Sequence, residues 1–86
     1  MDTILTIKQS LANRVRKRRK EIKLSQFMLA EKSQVSLGSI KRFERSGEIS
    51  LSSLLRIAVI LGYEADFNQL FVRKNYQNLD EIINAK

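Results

Sequence analysis

Between Thr6 and Lys23, apolar residues recur at Ile7, Leu11, Val15 and Ile22, at i, i+4, i+8 and i+15. That spacing puts them on one helical face and predicts a first helix. Arg14, Arg16, Lys17, Arg18 and Lys20 fill the other positions. The alternation in Ile4-Leu5-Thr6-Ile7 also fits a short strand, so the start of this element stays open. Ser25 is a good N-cap for a second helix, Gln26 to Ser33, with Leu29 and Ala30 facing inward. Gln34-Val35-Ser36 then makes a tight turn, and Ser36 caps a third helix from Leu37 to about Arg45. Ile40 and Phe43 are its apolar pair, and Gly47 is its expected stop. Ser50 or Ser52 opens a fourth helix that ends at Leu61 before Gly62. A short fifth helix is expected near Asp66 to Phe71, burying Phe67 and Leu70, with Phe71 a further candidate. After Val72 the chain is polar until Leu79, where Leu79, Ile82 and Ile83 resume helical spacing.

Short helices joined by brief loops, with no pair of alternating strands, predict an all-α domain. The fourth helix contains Leu51, Leu54, Leu55, Ile57, Ala58, Val59, Ile60 and Leu61. A helix apolar nearly all round is buried on more than one face. In a chain of 86 residues, part of that surface is expected to meet a second copy. Helices four and five and the tail would supply the contact, with Leu55, Val59 and Phe71 as candidate residues.

Length fits one domain, and a domain this small is marginal on its own. No apolar run approaches the roughly 18 residues of a membrane helix. Met1-Asp2-Thr3 lacks a charged n-region and a long apolar run follows nowhere near, so a cytoplasmic protein is expected. The absence of Cys and His excludes disulfides, zinc fingers and thiol chemistry, and removes the commonest general base and metal ligand. The carboxylates form no compact cluster, and Gly38, Gly47 and Gly62 are too far apart for a phosphate loop. No enzyme, cofactor or metal is expected.

Charge sharpens the picture. Residues 1–45 carry 12 Lys/Arg against 4 Asp/Glu, whereas residues 46–86 carry 4 against 5. One half therefore holds essentially all of the net charge of +7, which suits a polyanion on that side. A solvated basic helix is the plainer explanation of the same count. Only 7% of residues are aromatic and Trp is absent, so no base-stacking platform for single strands is evident. A membrane-surface role for the first helix would take the apolar face that the core needs.

The stretch Leu24 to Glu44 resembles the Xre/Cro family of helix-turn-helix repressors. Ser25-Gln26 opens helix two, Leu29-Ala30 follows at fixed distance, Val35-Ser36 precedes helix three, and Ile40, Phe43 and Glu44 fall in place. Gly47-Glu48-Ile49-Ser50-Leu51 and Leu54 to Gly62 match as well, so the resemblance covers about residues 10–71. It implies a five-helix, lambda-repressor-like DNA-binding domain over 10–71. Residues 1–9 are then an N-terminal arm or the start of helix one, and 72–86 a tail for dimer or partner contact. Ala30 lies where helix two crosses helix three, and a larger side chain there would push the helices apart.

In such a unit the second helix enters the major groove. The resemblance thus implies a homodimer on double-stranded operator DNA, with Ser36, Leu37, Gly38, Ser39, Lys41 and Arg42 facing the duplex. Arg42 or Lys41 can donate to guanine, Arg in bidentate fashion. Ser36 and Ser39 can bond bases or phosphates, and Leu37 can touch a thymine methyl. Gln26 inherits from the family a grip on the DNA backbone. Plainer readings stand beside these: Ser36 as a cap alone, Lys41 and Arg42 as solvated charges, Gly38 as either a close-approach point or neutral variation. The resemblance also implies a largely buried ion pair between Arg19 and Glu44; the alternative is two surface charges, with Arg19 on DNA.

Two departures stand out. Gln34 occupies a turn position where many members have Gly, so it is either strained or the turn differs. Phe27 and Met28 are apolar where polar residues are common, and either pack beneath the N-terminal segment or form an exposed patch. Val35 to Glu44 and Ile49-Ser50-Leu51 further resemble the HipB-like branch, antitoxins or regulators encoded beside a HipA-like kinase. Such proteins repress their own operon and bind the toxin outside the recognition helix. A phage repressor or orphan regulator would look similar. The competing function is a protein-interaction module using the helix-turn-helix as scaffold, against which the basic first half argues.

Overall fold

Three serines and a threonine start four of the helices by the same chemistry. The side chains of Thr3, Ser25, Ser36 and Ser50 each accept the backbone N–H three residues on, at 3.0–3.1 Å. Each removes one of the unpaired donors of a helix N-terminus. In the computed structural model, which describes residues 2–72, the helices are α1 (Ile4–Glu21), α2 (Gln26–Ser33), α3 (Leu37–Ser46), α4 (Leu51–Leu61) and α5 (Glu64–Asn68). No strand occurs among the described residues.

α2, α3 and α4 begin where their serines predict, and Ser50 rather than Ser52 caps α4. α1 starts at Ile4 instead of Thr6, and neither the strand nor the arm alternative for the first residues is realised. The reason is Thr3, whose capping bond to Thr6 holds Ile4-Leu5-Thr6 in the first turn. Ile7 is consequently a full turn above the core and is exposed. α5 lies at Glu64–Asn68, earlier than the expected Asp66 to Phe71. Its end is followed by turns, and Phe71 adopts a left-handed backbone with φ 65°. Phe67 is half-buried, but Leu70 and Phe71 are exposed, contrary to expectation. Leu79, Ile82 and Ile83 lie outside the described residues.

Two apolar clusters hold the helices together. Leu29, Val35, Ile40, Ile57 and Leu61 join α2, the turn, α3 and α4, with Val15, Ile22 and Ala30 against them. Ala12, Phe43 and Leu54 join α1, α3 and α4, with Leu11, Val15 and Phe67 against them. Phe43, Leu29, Ile40 and Ile57 are the largest fully buried side chains. Burying each is worth roughly 1.5–3 kcal/mol. Polar ties supplement them. Arg18 crosses from α1 to donate to the Leu61 carbonyl at 3.3 Å, and its guanidinium lies 5.4 Å from the centre of the Tyr63 ring.

Gly47 sets the approach of α3 to α1. It ends α3 at φ 79°, and a Cβ there would stand 2.7 Å from Lys8 Cβ and 2.9 Å from the Lys8 backbone carbon. Both the left-handed backbone and the contact require glycine. Beside it, Lys8 pairs with Glu48.

Candidate nucleic-acid interface

The turn between α2 and α3 is built by three residues. Gln34 takes the left-handed conformation at φ 59° without being glycine, so the turn is kept and the strain sits on Gln34. Ser33 is buried; its hydroxyl donates to the Leu29 carbonyl at 2.6 Å and accepts the Val35 N–H at 3.3 Å. Val35 then drops into the core. Leu29, Val35 and Ile40 thereby lock α3 against α2 with its opposite face outward.

That outward face carries Gly38, Lys41, Arg42 and Arg45, all exposed. Their spacing, i, i+3, i+4 and i+7, makes one stripe. Gly38 has nothing within 4 Å of where a Cβ would be, so its role is not internal packing. Leu37 and Ser39 flank the stripe, half-buried, and Ser36 stands at its head. The Ser36 hydroxyl accepts the Ser39 N–H and donates to Ser39 Oγ at 2.8 Å. Ser36 is therefore a cap, whereas the Ser39 hydroxyl keeps its proton for an outside acceptor. Arg45, one turn beyond Arg42 on the same stripe, escaped the sequence reading, although its spacing from Gly38 and Arg42 was there to use.

Behind the stripe, α1 grips α3. Arg19 Nε donates to Glu44 Oε2 at 2.7 Å and Arg19 Nη2 to Glu44 Oε1 at 2.9 Å, a bidentate pair with side chains only 7% and 5% exposed. Arg19 Nη1 also donates to the Leu24 carbonyl at 2.8 Å, anchoring the loop before α2. Burial alone would raise the Glu44 pKa. Hydrogen bonds from Arg19 and Gln26, with the charges of Arg19 and Arg16, outweigh it and hold the carboxyl below its ordinary value.

Glu44 also positions two groups at the surface. Gln26, half-buried at the start of α2, donates from Nε2 to Glu44 Oε1 at 3.0 Å. The more exposed Arg16 brings Nε to 3.8 Å from the same oxygen. Gln26 thus has an internal duty that the sequence did not indicate, yet one N–H of its amide remains unspent. Arg16, Gln26 and the first-turn N–H groups of α2 converge on one spot, a geometry suited to an anion. Arg16 had passed for one more solvated charge of the basic helix. Phe27 and Met28 lie beside it and are exposed, at 58% and 40%.

A cationic stripe on the second of two serine-capped helices, with an anion-ready spot at the start of the first, is the layout of a DNA-reading unit. The helix-turn-helix family model HTH_3 matches residues 15–68. The chain belongs to the helix-turn-helix family. As a member it is a DNA-binding transcription regulator of the Xre-like kind, a family of regulatory domains rather than enzymes. The match runs from the middle of α1 through α5 and contains Arg16, Gln26 and the whole of α3. No curated protein and no solved structure matches the chain. No helix among the described residues is long and apolar enough to cross a membrane.

Proposed function

We propose that this helix-turn-helix protein is a sequence-specific repressor that binds operator DNA as a homodimer. α3 enters the major groove, where Arg42 and Lys41 donate to guanine edges and Ser39 and Leu37 read their neighbours. Ser36 and Gly38 allow the head of α3 to approach closely, and Arg45 follows the groove toward the backbone. Gln26 and Arg16 hold a phosphate at the start of α2 and fix the register. The exposed stripe Gly38–Lys41–Arg42–Arg45, on a helix locked from behind by the Arg19–Glu44 pair, carries this reading.

The second copy packs on the outer ridge of α4. Leu51 and Val59 are 66% and 55% exposed, with half-buried Leu55 between them at i, i+4 and i+8, and Phe71 is fully exposed nearby in sequence. Two recognition helices then reach half-sites about 34–36 Å apart, one duplex turn. The resemblance of Val35 to Glu44 to the HipB-like branch supports an antitoxin that represses its own operon in the cytoplasm. A HipA-like kinase toxin would contact a surface away from α3.

The test is duplex binding across a salt series, with the mass followed in parallel. If about six phosphates are neutralised per dimer, log K falls against log salt with a slope near about −5. Sedimentation should show a dimer at micromolar concentration. A flat salt response would contradict the backbone contacts, and a monomer mass at all concentrations would contradict the dimer.

A further inference from the structure

The helices leave an open apolar groove on the side away from α3. Leu11 and Val15 of α1 form one wall, Leu54 and Leu61 of α4 the floor, and Phe67 and Leu70, in and after α5, the other wall. Its volume, about 650 Å³, is in the range of about 300–1,000 Å³ typical of small-ligand pockets. It therefore fits a few aliphatic side chains and not a folded partner. Leu51, Leu55 and Val59 do not line it, so it is distinct from the ridge proposed for the second copy.

We infer that the groove receives this chain's own segment Leu79–Ile83. Three observations select that occupant. Leu79, Ile82 and Ile83 have i, i+3, i+4 spacing, which presents three aliphatic side chains on one helical face. Asp80 and Glu81 accompany them, and the rim of the groove carries Arg14, Lys17 and Arg18 against Glu21 and Asp66. Arg18 is 3.7 Å from Glu21, but among the described residues neither Arg14 nor Lys17 has a carboxylate within 4 Å. An acidic segment lowers the repulsion along that rim. Finally, the reach is short. The described chain stops at Val72, two residues past Leu70 in the groove wall, and seven residues separate Val72 from Leu79. They span up to about 25 Å. Docking within one chain closes only a small loop, whose entropic penalty is modest.

The natural chain has no cysteine, so a spin label at Asn84→Cys is unique. NMR of methyl-labelled full-length protein reads its proximity, with the label reduced as reference. We expect at least a twofold greater intensity loss at Leu11, Val15, Leu54 and Leu61 than at Leu37 in α3. Ile82→Ser with Ile83→Ser should abolish that contrast while the spectrum of residues 2–72 stays folded. In a mixture of spin-labelled, isotopically silent chains with unlabelled-cysteine-free, methyl-labelled chains, no loss is expected. Equal losses at groove and α3 methyls, or persistence of the contrast in the serine variant, would overturn the proposal. Loss in the mixed sample would do so too, by assigning the segment to a neighbouring copy. None of these readouts requires DNA binding, so they stand or fall separately from the repressor reading.

Discussion

α2 and α3 each begin on a serine whose hydroxyl closes the first turn, and Arg19, Glu44 and Gln26 tie them to α1 through hydrogen bonds of 2.7–3.0 Å. α5 begins at Tyr63 with no side-chain cap, buries no residue fully, and leaves Leu70, Phe71 and Val72 exposed beyond it. The first region has polar partners in fixed geometry and a basic outer face. The second has apolar surface without a cover. Buried hydrogen-bonded charges specify one arrangement, because each alternative strands a charge. Exposed aliphatic surface specifies only that something apolar should meet it. The basic end is thus suited to holding cations in register with a repeating polyanion, and the apolar end to association.

The comparison breaks most readily at the ion pair. Glu44→Gln and Arg19→Met should each destabilise by roughly 3–5 kcal/mol, since the remaining group is stranded in a buried site. The double variant should lose less than the sum, measured by urea unfolding. Because the folded-state pKa of Glu44 lies below its unfolded value, its stabilisation is complete above the unfolded value, about 4.3. It is lost as pH falls through the folded value. The wild type should therefore lose stability in that window, and Glu44→Gln should show a weaker pH dependence there.

Next in size is the close approach of α3 to α1. Gly47→Ala should destabilise by about 2–4 kcal/mol, combining left-handed strain with overpacking against Lys8. Thermal unfolding checks it, and a neutral result would mean that α1 and α3 separate easily. Arg42→Ala should lose about 1–3 kcal/mol of discrimination at one base pair and leave stability unchanged. Gln26→Ala and Arg16→Ala should instead weaken all duplexes alike, which titration against specific and scrambled sequences distinguishes. Smallest is Gln34→Gly, which relieves the φ of 59° but adds freedom to the unfolded chain. A net gain of up to about 1 kcal/mol is expected, again by urea unfolding.

The same contrast decided what was legible in the sequence. α2, α3 and α4 could be placed nearly to the residue because Ser25, Ser36 and Ser50 cap them and Gln34, Gly47 and Gly62 close them. The start of α1 was misplaced because Thr3 was not read as a cap, although Thr3 and Thr6 have the spacing for one. α5 lacks any side-chain cap, and only acidic Glu64 and Asp66 in its first turn mark its beginning. Ala12 went unnoticed as core because a small side chain leaves little trace in a hydrophobic pattern, yet it is 1% exposed. The stripe on α3 was visible in part, and Arg45 was lost by ending the helix too early. Gln26 and Arg16 meeting at Glu44 Oε1 depends on how α1 crosses α3, which spacing along one chain does not encode.

The central claim is that α3 reads duplex DNA through Arg42 on a frame fixed by Arg19 and Glu44. Selection from a random duplex library, performed in parallel with wild type and Arg42→Ala at one salt concentration, tests it most directly. The account predicts that wild type enriches a two-fold symmetric site with half-sites one turn apart, and that Arg42→Ala loses preference at a single symmetric pair of positions. Failure to enrich any sequence, or an identical site for both proteins, would contradict it.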